Sequence, residues 1–199
     1  MRGCSAPRAT PDNRVIATDR LQPNMPVTPF HMGPGILIKA ILQGFFSLII
    51  FGWAQVWMDI QPLLAMLTGK GELHGFSHTY IGATLIAIFC ALTGKWIYKV
   101  IMKMCGQNFT EYQKKLFAVS GNLTTSVCIT SAFIGTFSHV LLDSIMHGDV
   151  EPFYPIIPTN HLHLLLSIEG LYGLCIYAGI AGGAIYFTIR SLRGIQPRP

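Results

Sequence analysis

The chain has 199 residues and a formal net charge of +5, with 51% hydrophobic and only 12% charged residues. Soluble domains carry about 25% charged residues, so this composition argues against an ordinary soluble protein and indicates contact with lipid. The positive charge does not indicate nucleic-acid binding, because the Lys and Arg residues flank apolar runs and form no basic patch with interleaved aromatic residues.

Residues 1–30 are predicted to be a disordered N-terminal tail, because their arginines lie among Pro, Ser, Thr and Asp without apolar periodicity. The tail contains no apolar core of the kind that a secretory signal peptide has. Met25 is an alternative start of translation. Residues 31–193 are predicted to be one membrane-embedded helical domain.

The first apolar run covers residues 34–58 and allows two structures. As a single helix it would rise about 36 Å and could span a membrane with tilt. The alternative is a hairpin of two short helices, about 34–43 and 46–58, with a turn near Gly44. Gly44 and the polar pair Lys39 and Gln43 interrupt the run and weaken the single-helix interpretation, but both structures stay open at this point.

Three further apolar runs follow, at 78–93, 119–146 and 161–189. Lys95, Lys99 and Lys103 are spaced four apart after the first of these, which predicts an interfacial amphipathic helix with lysines reaching toward water. Residues 147–160 are predicted to form a Pro-rich loop. The last run has a glycine-rich face that predicts close helix packing (Gly170, Gly173, Gly179, Gly182, Gly183). The predicted fold is all-α: an integral membrane bundle of four to five short transmembrane helices plus the interfacial helix.

The distribution of positive charge predicts the orientation of this bundle. The segment 95–118 holds five lysines and the C-terminal end holds three arginines, whereas the loops 60–77 and 147–160 hold only Lys70. The positive-inside rule therefore places 95–118 and the C-terminus in the cytoplasm, and the two loops on the opposite side.

Acidic and histidine side chains concentrate near the predicted non-cytoplasmic ends of the helices. Such groups are costly at a membrane unless they are paired or bind a metal. Glu72, Asp149 and Glu151 are interpreted as solvated loop charges, and His161 and His163 as membrane-edge residues without a partner. The remaining predicted groups are Asp59, His74, His78, His139, Asp143 and His147.

Two histidine spacings predict a metal site. His139 and Asp143 are four residues apart in a predicted helix, so both side chains lie on one face. His74 and His78 have the same spacing. A divalent metal requires three or four nitrogen and oxygen ligands, which two such pairs can supply. Asp59 is a further candidate ligand and could bridge two metals.

The order of these motifs resembles that of the LexA-regulated inner-membrane metal-dependent hydrolases, a family likened to zinc-dependent phospholipases C. The similarity covers about residues 31–155, and its longest stretch is SHVLLDSIMHGDVEPFYP. Where the family shows PDxD, Asp59 matches the first acid and Gln61 stands at the second. His31 is similar to the family's early histidine.

The family motif HRGxTHS corresponds here to LHGFSHT. Leu73 therefore stands at the first histidine and His74 at the arginine, whereas His78 matches the second histidine. The chain thus departs from the family pattern at one acid and one imidazole.

The resemblance implies a hydrolase of the inner (plasma) membrane that acts on an amphiphilic small-molecule substrate, such as a phosphoester lipid, through metal-activated water. The implied cofactor is a divalent metal, with Zn²⁺ favoured by the imidazoles, held by His31, Asp59, His78, His139 and Asp143 with His74 nearby. Asp143 or Asp59 would be the catalytic base or bridging ligand. Two alternatives remain open: a metal or proton transporter, and a catalytically inert membrane scaffold.

Overall fold

The computed structural model describes residues 28–105, 109–116 and 123–193. The predicted tail 1–30 lies almost entirely outside these residues, and the described chain begins with a 3-10 turn, Thr28–His31. The described ranges contain helices and no strand. The α-helices are α1 (Met32–Leu42), α2 (Leu48–Met58), α3 (Ile60–Thr68), α4 (Tyr80–Cys105), α5 (Glu111–Leu116), α6 (Thr125–Met146) and α7 (Ile168–Leu192).

Four helical runs in the described ranges are long and apolar enough to cross a membrane. A single helix of 22 residues, such as Thr125–Met146, rises about 33 Å, which matches the hydrocarbon thickness of a bilayer. Large apolar side chains on these helices remain exposed, such as Leu85 and Leu92, as expected for a surface in contact with lipid. The predicted all-helical membrane fold is therefore confirmed, and the chain is a multi-pass membrane protein. The four runs are Leu48–Thr68, Tyr80–Cys105, Thr125–Met146 and Ile168–Leu192.

Helices α1 and α2 form a hairpin, the second of the two structures that the first apolar run allowed. The chain leaves helical geometry at Gln43, whose φ is 48°. It then returns along itself, so that Gly35 lies against the ring of Phe51. The ammonium group of Lys39 donates hydrogen bonds across the turn, 2.6 Å to the carbonyl of Gln43 and 2.7 Å to that of Phe46. The hairpin brings the start of α1 and the end of α2 to the same end of the bundle.

Two predicted boundaries differ from the structure, one before α4 and one within it. Residues 60–68, predicted as part of a loop, form α3. A helix tolerates a proline in its first turn, where Pro62 lies, and Gly69 ends the helix in a left-handed conformation. Residues 95–105, predicted as a separate interfacial helix, continue α4 without a break. No proline interrupts α4, and Gly94 fits closely against Ile50 and Cys128.

The last span begins at Ile168 rather than at residue 161. Ser167 caps α7, and its hydroxyl accepts a hydrogen bond from the amide of Gly170 at 3.1 Å. Leu164, upstream of this cap, has a left-handed φ of 58°, which a helix cannot include. His161 and His163 therefore lie in a loop and not in a membrane helix.

The helices pack through small side chains. Ala54 of α2, Ala87 and Cys90 of α4, and Cys128 and Ala132 of α6 are fully buried in one core. Helix α7 runs parallel to α1, and the predicted glycine face makes this contact at Gly179 and Gly182, which lie against Gly33 and Leu37. Such close approach is typical of helix packing in membranes.

This packing places His31, Asp59, His78 and Asp143 at one end of the bundle, which we call the histidine end. Lys95 lies toward the opposite end, where its ammonium group donates to the hydroxyl of Thr125 at 2.8 Å. Lys95 is thus separated along the helix axes from the candidate metal ligands, as the sequence pattern predicted. Which end faces the cytoplasm stays a prediction.

Candidate metal centre

Five side chains converge at the histidine end, and we call them the buried cluster. His31 immediately precedes α1, Asp59 ends α2, and His78 lies in a 3-10 turn before α4. His139 and Asp143 come from α6 and lie one turn apart on the same face. Five of the six predicted ligand residues therefore meet in one place, although their role as ligands stays a prediction.

Asp143 is at the centre of the buried cluster. Its Oδ2 atom lies 3.2 Å from Nε2 of His78 and 3.1 Å from Nε2 of His139. Its Oδ1 atom lies 3.5 Å from Nε2 of His31. On the other side of His139, Nε2 lies 3.2 Å from Oδ1 of Asp59. His78 thus points toward the face of α6 that carries His139 and Asp143.

Nε2 of each histidine in the cluster is buried but lacks a well-directed hydrogen bond. His78 and His139 are inaccessible to solvent. Nε2 of His31, His78 and His139 makes no hydrogen bond within the described part of the chain, although carboxylate oxygens lie nearby. A buried polar atom left unbonded costs about 1–3 kcal/mol. When nitrogen and oxygen atoms converge on one point but form no hydrogen bonds with each other, they have the arrangement of ligands around a cation.

His31 and His78, the two histidines of the cluster that lie outside the membrane-spanning runs, favour the neutral form that binds metals. Burial lowers the pKa of His31 to about 4, against the opposing charge of Asp143. Burial also lowers the pKa of His78, which Asp143 again partly opposes. A neutral imidazole retains the nitrogen lone pair that a metal requires.

Gln55, which belongs to none of the sequence motifs above, orients His139. Its amide nitrogen donates to the carbonyl of Gly135 at 3.1 Å, which directs its oxygen toward Nδ1 of His139 at 2.6 Å. The nearest signal in the sequence is that Gln55 precedes Asp59 by four residues in an apolar helix, so both side chains lie on one face.

His78 is oriented in a similar way by its neighbour. The hydroxyl of Ser77 lies 2.9 Å from Nδ1 of His78. The backbone amide of Ser77 in turn donates to the side-chain oxygen of Gln61 at 3.0 Å. Gln61, which stands where the resembling family has its second acid, therefore supports the turn that holds His78.

The sixth predicted ligand, His74, lies in a second group with His147 and Asp149, which we call the outer group. Nδ1 of His74 is 3.0 Å from Oδ2 of Asp149. The rings of His74 and His147 stack with centroids 4.3 Å apart, and the ring of His74 is 5.0 Å from that of His78. His74 therefore adjoins the buried cluster but contacts different partners.

Asp149 is an exposed loop charge, as predicted, but it also pairs with His74. The hydrogen bond from His74 lowers the pKa of Asp149, against the opposing effect of partial burial. His161 also has a partner, since its Nε2 lies 3.0 Å from the hydroxyl of Thr159. Glu72 and Glu151 are exposed, as predicted. The sequence could not indicate the contact of Asp149, because it depends on how two distant loops pack.

A cavity of about 380 Å³ lies beside the buried cluster. It is lined by residues adjacent to Asp59 and His78, among them Ile60, Gln61 and Ser77. One part of its wall is apolar, and another part carries the charged residues Lys70 and Glu72. The cavity is therefore amphipathic, as is expected for a site that accepts a molecule with apolar and polar parts.

The site combines carboxylate and imidazole donors, burial and an adjoining cavity, which together make a candidate metal centre. No protein-family model, curated protein or solved structure matches the chain.

Proposed function

We propose that this protein is a membrane-embedded metal-dependent hydrolase. Asp59, His78, His139 and Asp143 would hold a divalent cation, with His31 on the other oxygen of Asp143. The main support is the convergence of these groups from separate parts of the chain, together with buried Nε2 atoms of His78 and His139 that lack well-directed hydrogen bonds. A set of two or three imidazoles with carboxylates suits Zn²⁺, since this ion accepts nitrogen and oxygen ligands in a compact shell.

A bound cation would polarise the bond to be cleaved and lower the pKa of water toward neutrality. We assign the role of general base to Asp59, because 35% of its side chain is exposed whereas 6% of that of Asp143 is. Asp59 can therefore accept a proton from a water molecule that enters from outside the cluster. Asp143, which directs its two oxygens to different histidines, would hold the ligands in place.

The proposed substrate is an amphiphilic phosphoester, such as a phospholipid. The cavity beside Asp59 supports this choice, because its apolar wall suits a hydrocarbon chain and Lys70 offers a positive charge for a phosphate group. The resemblance to the inner-membrane metal-dependent hydrolases favours the same substrate class. We also propose that the chain is a member of that family and that it lies in the plasma membrane.

We further propose that the histidine end faces the non-cytoplasmic side and that the C-terminus is cytoplasmic. Lys95, Lys99 and Lys103 lie in the half of α4 that is distant from His78, and Arg190 and Arg193 are at the end of α7. The positive-inside rule places such groups in the cytoplasm.

Metal content of the purified protein tests the proposed site directly. The full chain is purified in detergent, and bound metal is measured by mass spectrometry for wild type, His139→Ala and Asp143→Ala. We expect both substitutions to remove the metal of the buried cluster. His161→Ala, which changes a histidine of an exposed loop, is the matched control and should retain it. Unchanged metal content in both cluster variants would refute the proposed site.

Hydrolysis is tested separately, with a panel of phosphoester lipids. Activity should disappear on chelation and return with Zn²⁺, and Asp59→Asn should lower kcat about 100-fold or more. A protein that binds metal at the buried cluster but hydrolyses no member of the panel would contradict the enzymatic proposal and favour the transporter or scaffold alternative.

A further inference from the structure

The outer group lies outside the buried cluster and has no role in the proposed hydrolysis. It combines two imidazoles and one carboxylate from two loops that are distant in the sequence. His74 lies between α3 and α4, and His147 and Asp149 directly follow α6. One donor atom from each of these residues lies within 4.8 Å of the other two.

We propose that His74, His147 and Asp149 form a second divalent-cation site. Two imidazoles and one carboxylate are a donor set that zinc and related cations accept, with water completing the shell. Cation binding by these residues does not depend on the proposed hydrolysis.

Hydrogen bonds to the backbone hold the two loops that carry these residues. The amide of His147 donates to the carbonyl of Asp143 at 2.7 Å, and its own carbonyl accepts from the side chain of Asn160 at 2.9 Å. The backbone amide of Tyr80, at the start of α4, donates to the carbonyl of Pro152 at 2.8 Å. The two loops are therefore joined, and the ligand positions are largely preformed.

The outer group is also accessible from solution. The side chain of His74 is only 6% exposed, whereas that of Asp149 is 58% exposed. A cation can therefore approach past Asp149 and reach the two stacked imidazoles. An ion pair needs only His74 and Asp149. The ring of His147 nevertheless stacks on that of His74, which adds a third donor and favours a cation site over a simple ion pair.

His74 connects the two candidate sites. Donor atoms of His74, His78 and Asp143 also lie within 4.8 Å of one another. A cation in the outer group would fix the position of His74 beside the buried cluster. The chain would then bind two cations in neighbouring sites, each with ligands that the other lacks.

Zinc titration of the full chain tests this inference. Metal-stripped protein in detergent is titrated with Zn²⁺ by calorimetry, and the bound equivalents are checked by mass spectrometry. We expect two equivalents for wild type and for the control His161→Ala. We expect one equivalent for His147→Ala, with the buried cluster still occupied. Asp149→Asn, a conservative change at an exposed position, should weaken the same equivalent without disturbing the fold.

The outcomes separate this inference from the proposed hydrolase. Loss of one equivalent in His147→Ala and of a different one in His139→Ala supports two sites. Loss in His147→Ala alone supports the outer site and refutes the buried one. One equivalent in wild type that His147→Ala and Asp149→Asn both retain would overturn the inference.

Discussion

The side-chain oxygen of Gln55 lies 2.6 Å from Nδ1 of His139, and both groups are fully buried. Because the amide nitrogen of Gln55 donates to the carbonyl of Gly135, its oxygen must accept a hydrogen from His139. Nδ1 of His139 therefore carries a proton, and Nε2 faces the two aspartates. Partners of this kind fix the tautomer and ring orientation of metal-binding histidines.

Removing the hydrogen bonds of Gln55 should weaken metal binding. Gln55→Met preserves the length of the side chain but leaves Nδ1 of His139 without its acceptor. We expect metal affinity to fall about 10- to 100-fold, measured by competition with a chromophoric chelator. Gln55→Glu retains an oxygen acceptor and should bind metal more tightly than Gln55→Met. Equal affinity in wild type and Gln55→Met would show that this contact does not orient the ligand.

Metal removal should lower the thermal stability of the protein in detergent. A ligand at 100 times its Kd stabilises a native state by about 2.7 kcal/mol. For a chain of this size that corresponds to a decrease in Tm of about 5–10 °C on chelation. The measurement is a thermal melt followed by circular dichroism, with and without a chelator.

A variant of the buried cluster provides the control for that melt. His139→Ala lacks a central ligand, so chelation should shift its Tm less than that of wild type. An equal shift in both proteins would locate the stabilising metal elsewhere.

Helix α7 should tolerate alanine at one glycine and not at its neighbour. A Cβ at Gly182 would lie 2.5 Å from Cα of Leu37, so α1 and α7 would have to separate. Around Gly183 nothing lies within 4 Å of the same position. We expect Gly182→Ala to destabilise the protein by about 1–3 kcal/mol, and Gly183→Ala to have little effect. Thermal melts of the two variants in the same detergent provide the comparison, and equal melts would contradict the packing of these helices.

Asn160 should stabilise the loop that follows α6. Its side chain donates to the carbonyls of Ser144 and His147, at 2.8 and 2.9 Å, and accepts from the amide of Leu162 at 3.0 Å. The two carbonyls lie at the end of α6, where a helix leaves such groups without internal partners. Asn160→Ala should therefore cost about 2 kcal/mol and increase proteolysis between residues 147 and 167.

The neighbouring residue supplies a matched control for Asn160. The hydroxyl of Thr159 contacts only the exposed His161 among the described hydrogen bonds, so Thr159→Ala should leave stability nearly unchanged. If Asn160→Ala melts and digests like Thr159→Ala, the side chain of Asn160 does not hold this loop.

Local sequence patterns were sufficient for much of the helical structure. Tyr80–Cys105 and Thr125–Met146 are long apolar runs, which hydropathy identifies without knowledge of their neighbours. The pairing of His139 with Asp143 was also predictable, since the helical repeat alone places residues four apart on one face. The boundaries were less predictable. Ile60–Thr68 can be helical despite Pro62, because this proline falls in the first turn, where a missing amide does no harm.

The sequence by itself determined a membrane bundle with most of its acidic and histidine residues at one end, because hydropathy and charge act along short stretches of chain. Only the tertiary structure decided which of them meet. The hairpin of α1 and α2 brings His31 to the cluster that holds Asp59, and the packing of two loops joins His74 to Asp149. Gln55 became relevant for the same reason, since its partner His139 is on another helix. These contacts arise from turns and loop packing between distant residues, which no local periodicity encodes.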